Sequence, residues 1–326
     1  MMPGSPPPDS DENLRLQADE HPLVDEREFV SLQQRVLHLM HLQAYEEASR
    51  HAAARDVLDL GCNTGYGTIG LAAVANRTVG VDVSPAAIEE ARRRPGASVV
   101  EWLVVDGLTL PFADATFDLV MSFQVLEHIA DPGPYLAEIA RVLRGDGMAL
   151  LTTPNAAIRL DAGDPPWNRF HVREYQAAEL PAVLGASFDD VEVLGMFASP
   201  LCYRTEFDRV DVARRRHAAK LRLAREGRLA GGGRRPAAWR ALRRLVPEPL
   251  AAVLRRARRR AAAQQRAPSG PPRSDLLGTS AEVDAALASP DTAAPSLADL
   301  WYAPRDLDRA LDLLAVCRRP RRGAAA

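Results

Sequence analysis

The chain has 326 residues, 47% hydrophobic and 26% charged, enough to bury a full core in one large domain or two small ones, and its formal net charge of −2 marks it neither strongly basic nor strongly acidic overall. No run of about 18 or more apolar residues occurs, and the opening 25 residues are polar and Pro-rich, so neither a membrane span nor a signal peptide is expected and the compartment expected is the cytosol. Cys62, Cys202 and Cys317 are odd in number and far apart, which argues against a disulfide framework and against a structural zinc site.

Residues 1–25 read as a disordered acidic leader with no function expected, because Pro and like charges bury too little apolar area to offset ordering entropy. Phe29, Leu32, Val36, Leu37, Met40 and Leu42 then recur at roughly helical spacing, which predicts one or two helices before the first strand, covering an edge of the site. Between 55 and 154 short apolar runs at 56–60, 78–83, 98–105, 117–122 and 148–154 read as buried parallel strands. Helix starts fall between them: Ser84 before Pro85 and Asp131 before Pro132 each place a capping side chain ahead of a proline at the first helical position. Gly145-Asp146-Gly147 ends the second of these helices. Alternation of this kind predicts an α/β fold, a doubly wound and mostly parallel sheet with helices on both faces. A helix over 174–184 and a strand over 188–197 extend it. The pattern then breaks until 307–319, where a helix-to-strand signal returns as the last, antiparallel strand of the same sheet. The expected organisation is therefore a leader (1–25), a core (26–203), a basic Arg- and Ala-rich insertion, helical or flexible (204–306), and a closing core segment with its tail (307–326).

The stretch from Val57 to Gly67, VLDLGCNTGYG, is an apolar strand running into a Gly-rich turn that opens a helix. Glycines allow close backbone approach to a ligand, and free N–H groups at a helix start favour an anion. The spacing of Gly61, Gly65 and Gly67 does not fit G-x-G-x-x-G, which disfavours a dinucleotide fold. Asp82 closes the second strand, 17 residues after Gly65, where a carboxylate can accept ribose hydroxyls. Asp106 closes the third strand, placed to accept from an adenine amino group. Each feature alone also fits a tight turn, a cap or a solvated strand end. Their joint placement at three successive strand ends points to a nucleoside cofactor.

With these landmarks, and with SFQVLEHIADP and LRGDGMALLTTPN further on, the sequence resembles the class I S-adenosylmethionine (SAM)-dependent methyltransferase family over roughly residues 40–200 plus the terminal strand. The resemblance implies a Rossmann-like methyltransferase sheet with SAM as cofactor. It implies that Asp59, Gly61 and Gly65 line the methionyl part, Asp82 the ribose, and Asp106 with Gly107 the adenine. Phe123 and Gln124 would back the cofactor near its sulfonium. Asn63 stands where the family usually has Gly, and since Asn tolerates left-handed backbone angles better than most residues, a preserved loop is expected.

Methyl transfer from a sulfonium is an in-line displacement of an activated electrophile, so alignment and exclusion of water dominate and a general base is helpful without being obligatory. Two histidines are candidates for such a base. His128 in QVLEHIADP either supports its loop or takes the proton; His171 in DPPWNRFHVREY either packs the lid or lies at the acceptor. Trp167, Phe170 and Tyr175 either wall the acceptor or belong to the core. Asp161 and Asp164 have no third ligand at useful spacing, so no metal is expected.

Residues 214–273 carry 19 Lys or Arg against Glu226 and Glu248, a local charge of +17, with apolar residues at helical spacing on either side of Pro247. This reads as an anionic-membrane element over 210–265, which would make the chain peripheral at the inner membrane face, or as a biased insertion without a partner. Nucleic acid is the less favoured partner, since no reading module accompanies the charge and SFQVLEH replaces a base-methylating motif after the fourth strand. The leading function is methylation of a small molecule, lipid or glycoconjugate, with the resemblance of NRFHVREY to a lid favouring a hydroxyl oxygen. The alternatives are a nucleic-acid methyltransferase and a noncatalytic SAM-binding protein.

Overall fold

The computed structural model describes residues 17–20, 31–107, 109–225 and 294–321. Eight strands form one sheet in the order β3-β2-β1-β4-β5-β8-β6-β7. They are β1 (Asp56–Leu60), β2 (Arg77–Asp82), β3 (Glu101–Val104), β4 (Phe117–Phe123), β5 (Leu143–Pro154), β6 (Phe188–Ala198), β7 (Leu300–Ala303) and β8 (Asp312–Pro320). The pairings among β1 to β5 are parallel, while β8 runs antiparallel to both β5 and β6, and β7 antiparallel to β6. This is the α/β, doubly wound, mostly parallel sheet that the alternating pattern predicts. The strand order reverses between β1 and β4, and in such sheets the crevice outside that switch point is where ligands bind.

The helices are α1 (Leu32–Ala52), α2 (Thr68–Leu71), α3 (Pro85–Arg93), α4 (Pro132–Val142), α5 (Ala156–Arg159), α6 (Leu180–Leu184) and α7 (Pro200–Arg225). Ser84 and Asp131 cap α3 and α4, accepting from the backbone N–H of Ala87 and Gly133. Leu136, Ile139 and Ala140 of α4 pack with Leu58, Val79, Val81 and Val120 of the strands in the largest apolar cluster. A second cluster joins Val36, Leu39 and Met40 of α1 to Cys202 and Tyr203 of α7.

The structure departs from the sequence pattern in several places. Residues 97–99 form a 3-10 turn after Gly96 at φ 83°, so β3 starts at Glu101 and not at 98. The helix expected over 174–184 is confined to Leu180–Leu184, because Glu174 is committed to a buried ion pair with Arg159 and a hydrogen bond with His171, and Tyr175 bridges the backbone of Asn155. Before β8 the expected helix is only a 3-10 turn, Leu307–Arg309. Helix α7 crosses the expected insertion boundary at 203/204, and β7 adds a strand inside the expected insertion, where Leu300 is buried against Met196 and Met40. Finally, residues 17–20 of the expected disordered leader are helical. Gln17 is buried and donates to the Phe170 carbonyl at 3.0 Å, and Glu20 pairs with Arg169, contacts that offset the local ordering cost. The amphipathic pattern of Trp239 to Ala257 lies outside the described residues.

Trp102 shows why small residues recur along β2 and the first loop: an added Cβ would come within 2.5 Å of its ring at Gly80 and 2.3 Å at Gly65. Gly70 on α2 faces open space. Gly80→Ala should therefore cost about 1–3 kcal/mol by overpacking. Gly70→Ala should shift stability by less than about 1 kcal/mol, toward stabilisation. Urea unfolding of the two variants beside the parent checks the contrast, and equal effects would contradict it.

Candidate active site

β1 ends under the glycine-rich turn, and three residues there take left-handed backbone angles: Gly61 (φ 85°), Asn63 (φ 46°) and Gly65 (φ 71°). Gly61 N–H and Cys62 N–H both donate to the Val81 carbonyl, which ties the turn to β2. Asp82 completes the tie. One of its oxygens accepts from Asn63 N–H at 2.8 Å and the other from Ser84 N–H at 2.9 Å.

Beneath the turn Asp59 is 1% exposed. Its Oδ2 accepts from the Tyr45 hydroxyl of α1 at 3.0 Å and from the Thr68 hydroxyl of α2 at 2.5 Å, while Oδ1 is buried with no hydrogen-bond partner. Burial pushes its carboxyl up to about 6, against the two hydroxyl donors, which lower it. The Tyr45 ring lies against Gly67, where a Cβ would fall 2.3 Å from it, and edge-on to Phe123 at 5.1 Å between centroids.

Two adjoining clefts open over the carboxyl ends of the strands. The larger, about 780 Å³ including its open mouth, is lined by Gly61, Asn63, Asp82, Gly107, Gln124 and His128 among others. The smaller, about 580 Å³ on the same measure, lies under α1 and includes Tyr45, Tyr66, Phe123, Thr152 and Asp312. Gly61, Asn63 and Gln124 line both. Gln124, at φ 57°, donates through Nε2 to Asp312 Oδ2 at 2.9 Å and to Thr152 Oγ1 at 3.2 Å. Burial holds the Asp312 carboxyl well above the usual carboxylate range.

The residues singled out in the sequence thus divide. Gly61, Asn63, Asp82, Gly107, Phe123, Gln124 and His128 face a cleft. Asp59 lies beneath the floor, Gly65 packs on Trp102, and the exposed Asp106 turns its carboxylate onto Thr109, accepting from its N–H at 2.9 Å. Neither cleft is lined by those three or by His171. His171 is engaged at both ring nitrogens, with Glu174 at Nδ1 and the Asn168 amide at Nε2, each at 2.7 Å, which argues against the expected role as base. Burial lowers its pKa further from the working range. Of the expected acceptor wall, Tyr175 is core, Phe170 is buried, and Trp167 stacks under Arg159 at 4.2 Å.

Sequence reasoning missed Gln17, Tyr45, Thr152 and Asp312, which carry no local motif. It also expected no metal cluster. Among the described residues, Glu127, His128 and His171 each bring one potential donor atom within 4.8 Å of the others. The two histidines were noted separately, but only the fold shows that they meet.

Residues 58–151 match a family model described as a methyltransferase domain. The chain carries a class I SAM-dependent methyltransferase domain. A probable SAM-dependent methyltransferase of Mycobacterium tuberculosis is 39% identical over 162 residues, which cover 49% of this chain and 58% of that one. The ubiquinone biosynthesis O-methyltransferase of Azorhizobium caulinodans is 29% identical over 163 residues, covering 44% and 63%. The malonyl-[acyl-carrier protein] O-methyltransferase of Hahella chejuensis is 36% identical over 107 residues, covering 32% and 38%. The chain therefore spans less than two thirds of these relatives' lengths.

SAM is the cofactor of this methyltransferase domain, and the residues present fit it. The cleft floor must stay bare at Gly61, where a Cβ would lie 2.5 Å from Val125, and the Asp82 carboxylate lines the same cleft beside it. Asp82→Ala should weaken SAM binding about 10- to 100-fold by calorimetry, the worth of hydrogen bonds to a charged acceptor. An unchanged dissociation constant would remove Asp82 from the site.

Asp59 predicts a pH dependence. Its folded-state pKa of about 6 exceeds the ordinary 3.8, so its contribution to stability is fully present below 3.8 and is lost as pH rises through 6. Asp59→Asn cannot ionise and escapes that loss. The melting temperature of the variant relative to the parent should therefore be higher at about pH 8 than at about pH 4, by the equivalent of roughly 3 kcal/mol. A pH-independent difference would contradict the assignment.

Proposed function

We propose that the protein transfers a methyl group from SAM to a hydroxyl oxygen of a small molecule, lipid or glycoconjugate. The observation that carries this reading is the junction of the two clefts at Gln124, over the ends of β4 and β5. There the cofactor-facing turn adjoins Thr152, Asp312 and His128, polar groups suited to orienting a hydroxyl. Two of the relatives are named as O-methyltransferases, which supports the same reading.

Bound SAM supplies an electrophilic methyl group. What remains for the protein is to position the acceptor and exclude water. Gln124 is well suited to positioning, since its side chain is held by two acceptors and its backbone N–H by the Thr152 carbonyl at 3.0 Å. The charge of +17 over 214–273 supports an acceptor presented at an anionic lipid surface, with residues 210–265 as the surface-binding element.

The test is transfer of radiolabelled methyl to sugar, lipid and RNA fractions, with the lipids presented in anionic and in neutral vesicles. The expected result is a methyl ether in the sugar or lipid fraction, with lipid labelling favoured by anionic vesicles and weakened by salt. Label in RNA alone would favour the nucleic-acid alternative, label on nitrogen or carbon would overturn O-methylation, and indifference to vesicle charge would overturn the surface reading.

A further inference from the structure

Glu127 and His128 sit on the 3-10 turn after β4, and His171 comes from the loop between α5 and α6 that packs over it. The rings of the two histidines meet edge to face at 4.9 Å between centroids. One potential donor atom from each of the three residues lies within 4.8 Å of the others.

The hydrogen bonds around the cluster orient it outward in a common way. His128 Nδ1 is 2.8 Å from the Phe170 carbonyl. A carbonyl only accepts, so Nδ1 carries the proton and Nε2 of the neutral ring has the lone pair. His171 Nδ1 is 2.7 Å from Glu174 Oε1, and Arg159 forks onto the same carboxylate at 2.8 and 3.0 Å. That guanidinium favours the carboxylate form, so His171 Nδ1 also donates and its Nε2 has the lone pair, met by the Asn168 amide at 2.7 Å. Histidines that bind metals commonly donate the other ring N–H to a carbonyl or carboxylate, which sets tautomer and ring angle. Both histidines here have that partner. Glu127 supplies the third group: Oε2 accepts from Thr153 Oγ1 at 3.1 Å, while Oε1 is buried with no hydrogen-bond partner. A buried oxygen left unpaired in this way is costly, and a cation would relieve the cost.

We infer that Glu127, His128 and His171 form a binding site for a divalent first-row transition cation. Two imidazoles and one carboxylate suit Mn²⁺, Fe²⁺, Co²⁺ or Zn²⁺ better than Mg²⁺ or Ca²⁺, which prefer oxygen alone. Ligand bonds of about 2.0–2.1 Å require the donors to close from their present separation, and the Asn168 amide to give up His171 Nε2. Three protein ligands leave open positions, and His128 places them beside the larger cleft. An acceptor oxygen bound there would release its proton to solvent more readily, because a divalent cation lowers the pKa of a coordinated hydroxyl or water. That use of the cation rests on the O-methylation reading; the site itself does not.

The test is Co²⁺ titration of the chelator-treated full chain, followed by visible absorption and proton NMR. The expected result is saturable binding, displaced by Zn²⁺. Two strongly shifted resonances, present in H₂O and absent in D₂O, should report the Nδ1 protons of His128 and His171. His128→Asn and His171→Asn should each remove one of them. No binding at millimolar Co²⁺, binding without the two shifted protons, or an unchanged spectrum in a folded double variant would overturn the site. Should the variants not fold, the proton count in the parent protein decides. A chain that binds Co²⁺ in this way but methylates no hydroxyl keeps the site and loses the O-methylation reading; the converse result removes the site alone.

Discussion

The clefts depend on one buried carboxylate. Asp59 stands at the end of β1 under the glycine-rich turn and accepts from Tyr45 on α1 and from Thr68 on α2, so two helices and a strand converge on a single side chain. Tyr45 then packs on bare Gly67 and on Phe123, and α1 roofs the smaller cleft. With Asp82 tying the turn to β2 from the other side, the backbone above is held between two carboxylates. A turn with three left-handed residues has little intrinsic preference for one shape. The acids supply the restraint.

A second set of contacts holds the loop that follows α5. The Phe170 carbonyl accepts from His128 and from Gln17, and Val172 and Arg173 N–H both donate to the Glu127 carbonyl, so this loop is stitched to the end of β4. Deeper in, Glu174 pairs with Arg159 and His171, with Glu174 and Arg159 at 0% and 7% side-chain exposure. Buried pairs of this kind are retained only when their remaining hydrogen bonds are satisfied, and here Trp167 stacks on the guanidinium that the carboxylate engages. The price of the network is His171 itself, which is drawn away from the clefts.

Strand periodicity, the Ser84-Pro85 and Asp131-Pro132 helix starts and the glycines of the first turn were legible because each is a local rule of sterics or capping, satisfied within a few residues. Asn63 was legible for the same reason: its left-handed angle follows from side-chain chemistry and position in the turn. Function at the level of a methyltransferase domain came from the resemblance carried by the first turn together with the landmarks that follow it as far as Asn155. The region after 174 was less legible, because the extended course of Glu174 and Tyr175 answers to Arg159 and Asn155, not to their own helical spacing.

By itself, then, the sequence determined the alternation of strands and helices, the turn over β1 and the acids at successive strand ends, all of which rest on interactions between near neighbours in the chain. Only the tertiary structure decided which of those acids faces the cleft. It placed Asp82 at the rim, sank Asp59 beneath the floor and turned Asp106 onto Thr109. It also joined Gln124 to Asp312 across 188 residues and brought Glu127, His128 and His171 together. Contacts of that range have no period or spacing in the chain, because burial and pairing across the sheet set them, and they exist only once β5, β8 and the loop after α5 have closed over the end of β4.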